Sequence, residues 1–279
     1  MRNLFKEKTK VNGKKILTVQ DLSCVGQCSL TVALPVLSHY GVEAAILPTA
    51  VLSNHTMFKS WSYLDLTDEI PVIFDNWKKN DIKFSAFLLG YLGKVSIMDL
   101  CERAFDEFSE PHAPVIIDPA FGDNGKLYGG FDGQYVAAMA KLLRRADVIL
   151  PNLTEACYLL GEEYKTSYDR QYIENIAFRL NVLTGAAVVI TGVELGGKIG
   201  ECIFKDGAFS YVMDEKVPKF SHGTGDIFAA AFTARYLNGA SMESACAEAG
   251  RLVADCLKAT QEGHSYGVQF EDVLFSQIK

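Results

Sequence analysis

Apolar runs of strand length alternate with amphipathic runs of helix length along almost the whole chain. "KILTVQDL" (Lys15–Leu22) predicts a first strand, and "SLTVALPVLSHYG" predicts a helix closed by Gly41. "VEAAILPT" predicts a second strand. "TDEIPVIFDNWKKN" predicts a helix whose acidic start and basic end match the macrodipole. "KFSAFLLG" and "AAVVITG" predict strands, "VSIMDLCERAFDEFS" and "YIENIAFRLNVLTG" helices. "APVIIDPA" and "ADVILPN" are apolar without alternation, as strands covered on both faces are. After Gly192 the pattern changes: "GKIGECIFKDGAFSYVMDEKVP" predicts antiparallel strands turned at "KDG", and two long helices follow from Thr224 and Ser241. No repeat or linker interrupts this order. The expectation is a solvated tail over 1–14 and a single α/β domain over 15–279. That domain would be a doubly wound, mainly parallel sheet flanked by helices, with a late antiparallel edge. Ligands in such sheets bind beyond the carboxyl ends of the strands, here "VQD", "LLGY", "IIDPA", "ILPN" and "VITG".

Composition narrows the partners. The 279 residues are 49% apolar, and Lys+Arg 27 against Asp+Glu 34 gives a net charge of −7 with no offsetting basic block. Nucleic acid and acidic membranes are therefore not expected partners. The first fifteen residues hold six lysines and arginines but no apolar stretch follows, so no signal peptide is expected. Seven cysteines, an odd number set mostly in apolar stretches such as "EACYLLG", predict buried free thiols in a reducing cytoplasm. Cys24 and Cys28 have no neighbouring Cys or His set, which argues against zinc. No apolar run approaches the ~18 residues of a transmembrane helix.

Two nucleotide signatures fail. Gly192–Ile199, "GVELGGKI", fits the spacing of a P-loop but ends in Ile where Ser or Thr must hold magnesium, and strand-type sequence follows it. The turn after the first strand, "DLSCVGQCS", has one glycine, too few for a dinucleotide fingerprint. "HGTGDIFAAAF" carries more. Two glycines let backbone approach a phosphate, and the N–H groups of Gly223, Thr224 and Gly225 at a helix start form an anion nest. Asp226 follows within that turn, either as a helix cap or as a base for a hydroxyl brought to the phosphate. Asn152 and Glu155 in "PNLTEA" stand at a strand end, where they read as a cap with an acid in the first turn or as a pair orienting a hydrated cation.

"GTGDIFAAAF" resembles the C-terminal signature of the ribokinase-like ATP-dependent kinases, and "PNLTEA" matches their N-x-x-E pattern. "SNHT" (Ser53–Thr56), "GYLG" (Gly90–Gly93) and "DPAFGDNGKLY" (Asp118–Tyr128) are similar to the pyridoxal kinase branch of that superfamily. The resemblance covers about Ile16 to Gly239. It implies a catalytic base at Asp226 and an anion hole at Gly223, Thr224 and Gly225. It further implies magnesium support from Asp118 and Glu155, nucleotide contacts from Asn152 and Thr191, and substrate contacts from Asp21, His55, Thr56 and Tyr91. With these come Mg2+ carried with ATP, a monovalent cation such as K+, a small heteroaromatic alcohol as acceptor, and a homodimer. Asp21 departs from the serine common in that branch, and its D-x-S-x-x-G setting echoes the hydroxymethylpyrimidine kinases, whose chains lack the GYLG and G-D-x-G-x-x-Y segments. The expected activity is phosphorylation of the 5′-hydroxymethyl group of pyridoxal, pyridoxamine or pyridoxine, with a hydroxymethylpyrimidine as the alternative acceptor. A non-catalytic ligand-binding protein on the same fold is the reading from another class, and an intact Gly-Thr-Gly-Asp turn argues against it.

Overall fold

The computed structural model of the protein describes residues 14–277, so all of the expected tail but Lys14 lies outside the described residues. In chain order the strands are β1 (Lys15–Ser23), β2 (Glu43–Leu52), β3 (Tyr63–Asp65), β4 (Ala86–Leu89), β5 (Val115–Ile117), β6 (Gly122–Asp123), β7 (Lys126–Leu127), β8 (Val148–Ile149), β9 (Ala187–Leu195), β10 (Lys198–Lys205) and β11 (Ala208–Glu215). The helices are α1 (Leu30–His39), α2 (Ile70–Lys79), α3 (Val95–Phe108), α4 (Gly133–Leu142), α5 (Leu153–Leu160), α6 (Arg170–Thr184), α7 (Thr224–Leu237), α8 (Met242–Ala259) and α9 (Glu271–Ser276).

Nine strands form one sheet in the order β11-β10-β9-β8-β5-β4-β1-β2-β3, and β6 and β7 form a small hairpin. The block from β9 to β2 is parallel. The expected late antiparallel edge is β10 with β11. A second antiparallel edge, β3 on β2, was not legible because its three residues carry no alternation of their own.

Side chains of period two divide the core. Leu17 and Val19 of β1 pack with Phe74, Phe105, Met139 and Ile176 on one face, while Ile16 packs with Val36, Ile227, Phe232 and Ala249 on the other. Helix α7 is the most enclosed element of that second face, wedged between α1 and α8. Ala229, Ala230 and Ala231 are buried there, and their small size lets both neighbours approach.

Chain order runs outward from β1 to β2 on one side and from β4 to β9 on the other. The switch between β1 and β4 opens a crevice beyond their carboxyl ends. The P-loop look-alike lies elsewhere. Gly196 and Gly197, both at positive φ, make the β9–β10 turn, and exposed Lys198 pairs with Glu215 at 3.8 Å.

Candidate active site

The strand ends deliver side chains to one rim. Asp21 lies near the end of β1, Tyr91 just after β4, Asp118 just after β5, Asn152 after β8, and Thr191 within β9. Thr191 is held by its N–H on the Pro151 carbonyl at 2.9 Å. Over this rim stands the start of α7. Gly223 is its N-cap at φ 85, and no side chain caps the turn. A Cβ at Gly223 would run into the Gln27 carbonyl oxygen, so glycine is required both for conformation and for space. The first-turn N–H groups of α7 are left without a side-chain acceptor, and together with the helix dipole they favour an anion.

Asp226 sits inside that turn. Burial pushes its carboxyl up to about 7; the backbone N–H of Ser29 opposes the rise and the charge of Asp21 adds to it. Asp21 is itself raised by burial, against hydrogen bonds from Ser29 and from Ser23, whose hydroxyl donates at 3.2 Å. Tyr91 is pushed up to about 12 by burial and then by the charge of Asp21. Tyr63 of β3 is raised as well, by burial first, with Asp21 among the contributing charges. Asp226, Asp21, Tyr91 and Tyr63 are thus electrostatically linked. Cys28 joins them, and burial first, then the carboxylates of Asp226 and Asp21, push its thiol up to about 12, which disfavours the reactive thiolate.

Asn152 and Glu155 form a reciprocal cap on α5. The Asn152 side chain accepts from the Glu155 N–H at 3.0 Å, and Glu155 accepts from the Asn152 N–H at 2.9 Å. The other Glu155 oxygen accepts from the N–H of Phe121 at 3.0 Å, and the Asn152 amide donates to the Gly122 carbonyl at 2.8 Å. This pair therefore fixes the loop that carries Asp118. Burial raises both Asp118 and Glu155; the charge of Asp226 adds at Asp118, and that of Asp118 at Glu155. Neighbouring carboxyls of one sign, one buried at Glu155 and one half-buried at Asp118, unpaired by any cation among the described residues, suit a divalent metal. Among the described residues no group of three or more His, Cys, Asp or Glu side chains forms a cage. The donor set fits a hydrated cation that arrives on nucleotide phosphates and is met by one or two carboxylates. With both oxygens engaged by backbone N–H groups, Glu155 suits contact through water.

A cavity of about 1020 Å³ joins Asp118, Asn152, Glu155, Thr191 and the Gly223–Asp226 turn. The substrate-side residues stand apart from it. His55 is buried, with its ring packed under Gly26 and against Phe58, and it meets His222 of the cavity wall with 5.8 Å between ring centroids. Thr56 is exposed and lines nothing there. Ser29, Tyr63 and His222 were not singled out by the sequence: Ser29 and Tyr63 reach the site by folding, and His222, although it opens the glycine-rich turn, was given no role there.

A family model described as phosphomethylpyrimidine kinase matches residues 34–269. The pyridoxal kinase PdxY of Leifsonia xyli subsp. xyli is 29% identical over 263 residues, covering 89% of this chain and 90% of its own. The solved pyridoxal kinase of Lactobacillus plantarum matches with a TM-score of 0.87 at 33% identity, over 94% of this chain and 96% of that one. A Bacteroides thetaiotaomicron protein, provisionally assigned as a phosphomethylpyrimidine kinase and crystallised with pyridoxal, matches with a TM-score of 0.89 at 36% identity, over 95% and 96% of the two chains. The architecture is the ribokinase-like one expected from the sequence.

Proposed function

The chain belongs to the phosphomethylpyrimidine kinase family, and from that premise and the Asp226 turn we propose that it transfers the γ-phosphoryl of ATP to the 5′-hydroxymethyl group of vitamin B6 vitamers. The observation that carries this reading is a carboxyl held near pKa 7 inside an uncapped anion-binding turn, at the border between a nucleotide-sized cavity and a buried polar cluster. Curated pyridoxal kinases aligned over about nine-tenths of this chain support the vitamer as acceptor.

Asp226 takes the proton of the attacking hydroxyl, and the hydroxyl oxygen displaces ADP from the γ-phosphorus. The N–H groups of Gly223, Thr224 and Gly225 hold the charge spread over the moving phosphoryl oxygens. Asp118 and, through water, Glu155 would hold Mg2+, which would supply charge neutralisation on the phosphates. Asn152 and Thr191 touch the nucleotide phosphates, while Asp21 and Tyr91 hold the ring. His55 and Thr56 belong to the loop that flanks it. The same reading takes the protein as a cytoplasmic homodimer that uses a monovalent cation such as K+.

Coupled ADP release is the test, run with pyridoxal, pyridoxamine, pyridoxine and hydroxymethylpyrimidine as acceptors. ADP release that depends on a B6 vitamer is expected. ADP release indifferent to every acceptor would overturn the reading.

A further inference from the structure

One buried carboxyl in the cavity has no task in the steps above. Glu201 on β10 is 6% exposed, and among the described residues it accepts no hydrogen bond and pairs with no cation. Ile203, two residues along the same strand, packs into the α7–α8 core, so Glu201 faces α8. Opposite it stands Gly250. Both Glu201 oxygens lie 3.8 Å from where a Gly250 Cβ would be, and the glycine leaves that gap open to the cavity. Val212, Val253, Ala254 and Leu257 supply apolar walls in the same cavity that ends at the Gly223–Asp226 turn. A flat ring between such walls, with its phosphates at the turn, would meet Glu201 edge-on.

We propose that Glu201 reads the nucleobase of the bound nucleotide, pairing its carboxyl with the amino-bearing edge of adenine. The inference rests on the kinase reading above. A neutral carboxyl presents one O–H donor beside one acceptor. Glutamine presents the same pattern, and it matches the N6 amino donor and N7 acceptor of adenine. An ionised carboxylate only accepts, and would match a guanine edge instead. Burial lifts Glu201 to about 8, with the charge of Asp214 on β11 adding to the rise. Cys246 of α8 is a further titratable neighbour, itself held protonated by burial. At neutral pH Glu201 is therefore mostly in the form that fits adenine.

The test is calorimetric binding of ATP, GTP and purine riboside triphosphate, which lacks the amino group, to wild type, Glu201→Gln and Glu201→Leu. Wild type should bind ATP about tenfold more tightly than the purine analogue. As pH rises above about 8 its preference for ATP over GTP should fall, because the ionised carboxylate loses the O–H donor to N7 and presents the acceptors that a guanine edge matches. Glu201→Gln should keep the margin at every pH, and Glu201→Leu should bring it close to one. An unchanged ATP-to-analogue ratio in Glu201→Leu, with pyridoxal still phosphorylated, overturns this inference and leaves the kinase reading standing. A ratio that collapses in a protein phosphorylating no vitamer does the reverse. Should the leucine variant fold poorly, Glu201→Gln decides alone: an ATP-over-GTP preference that still falls above pH 8 there excludes Glu201 as the reader.

Discussion

Asp226 is asked to be neutral by its surroundings and ionised by its chemistry. Its carboxyl sits near 7 because burial and Asp21 outweigh the Ser29 N–H, and a base must be deprotonated to accept the hydroxyl proton. The kcat/KM for pyridoxal should therefore rise with pH through about 7 and level off above it. Asp226→Asn should lower kcat by about 10²–10⁴-fold and erase that rising limb. A variant within a few-fold of wild type would leave Asp226 a half-buried residue of the first helical turn only. Glu155 separates two roles in the same way. Glutamine at its position can still close the reciprocal cap with Asn152, so the fold should hold. The neutral amide binds a hydrated divalent cation less well, and Glu155→Gln should shift the magnesium needed for half-maximal rate upward. An unchanged magnesium titration would confine Glu155 to bracing the Asp118 loop.

The turn into α7 is where backbone geometry and function meet. Gly223 and Gly225 look alike in the sequence but not in the structure. Gly223 has φ 85 and the Gln27 carbonyl against its missing Cβ, whereas nothing lies within 4 Å of a Cβ at Gly225. Gly223→Ala should destabilise the protein by roughly 1–3 kcal/mol or more from the left-handed conformation alone. Gly225→Ala, inside the helix, should hold or gain stability, since alanine is the better helix former. Urea midpoints of the two variants measure this, and equal midpoints would mean that the turn is not as close-packed as described. At this scale the sequence was legible for most of the longer elements. It placed the strands that carry Asp21, Asp118, Asn152 and Thr191, and it placed α7. It missed β3 and the β6–β7 hairpin, which are two or three residues long and are held by partners distant in sequence or by a tight turn. It placed α4 nowhere. The capping bonds of Asn152 and Glu155, weighed as one of two readings of the sequence, are all made in the structure. The β9–β10 turn, Gly196–Lys198, carries the remaining look-alike. Exposed Lys198 there should be replaceable by alanine with no loss of ATP affinity.

Across the whole molecule, the carboxyls raised by burial set how stability answers to pH. Asp226 and Glu201 bind their protons more tightly folded than unfolded. Their contribution is full at low pH and is lost as pH rises through about 7 and about 8. His55 and His222 are lowered by burial and act oppositely, but only below their unfolded value near 6.5. The nucleotide-free protein should accordingly lose stability between about pH 6.5 and 8.5, and Glu201→Leu should flatten the upper part of that decline. A Tm that is constant or rises across this window would show that these carboxyls do not hold their protons as described. The central claim, however, concerns what the molecule does with an acceptor. Its most direct test is the ratio of kcat/KM for pyridoxal to that for hydroxymethylpyrimidine, with ATP as donor and the phosphorylated product identified by mass. A ratio favouring pyridoxal by about tenfold or more is predicted; a ratio favouring hydroxymethylpyrimidine, or no phosphorylated product from pyridoxal, would contradict it.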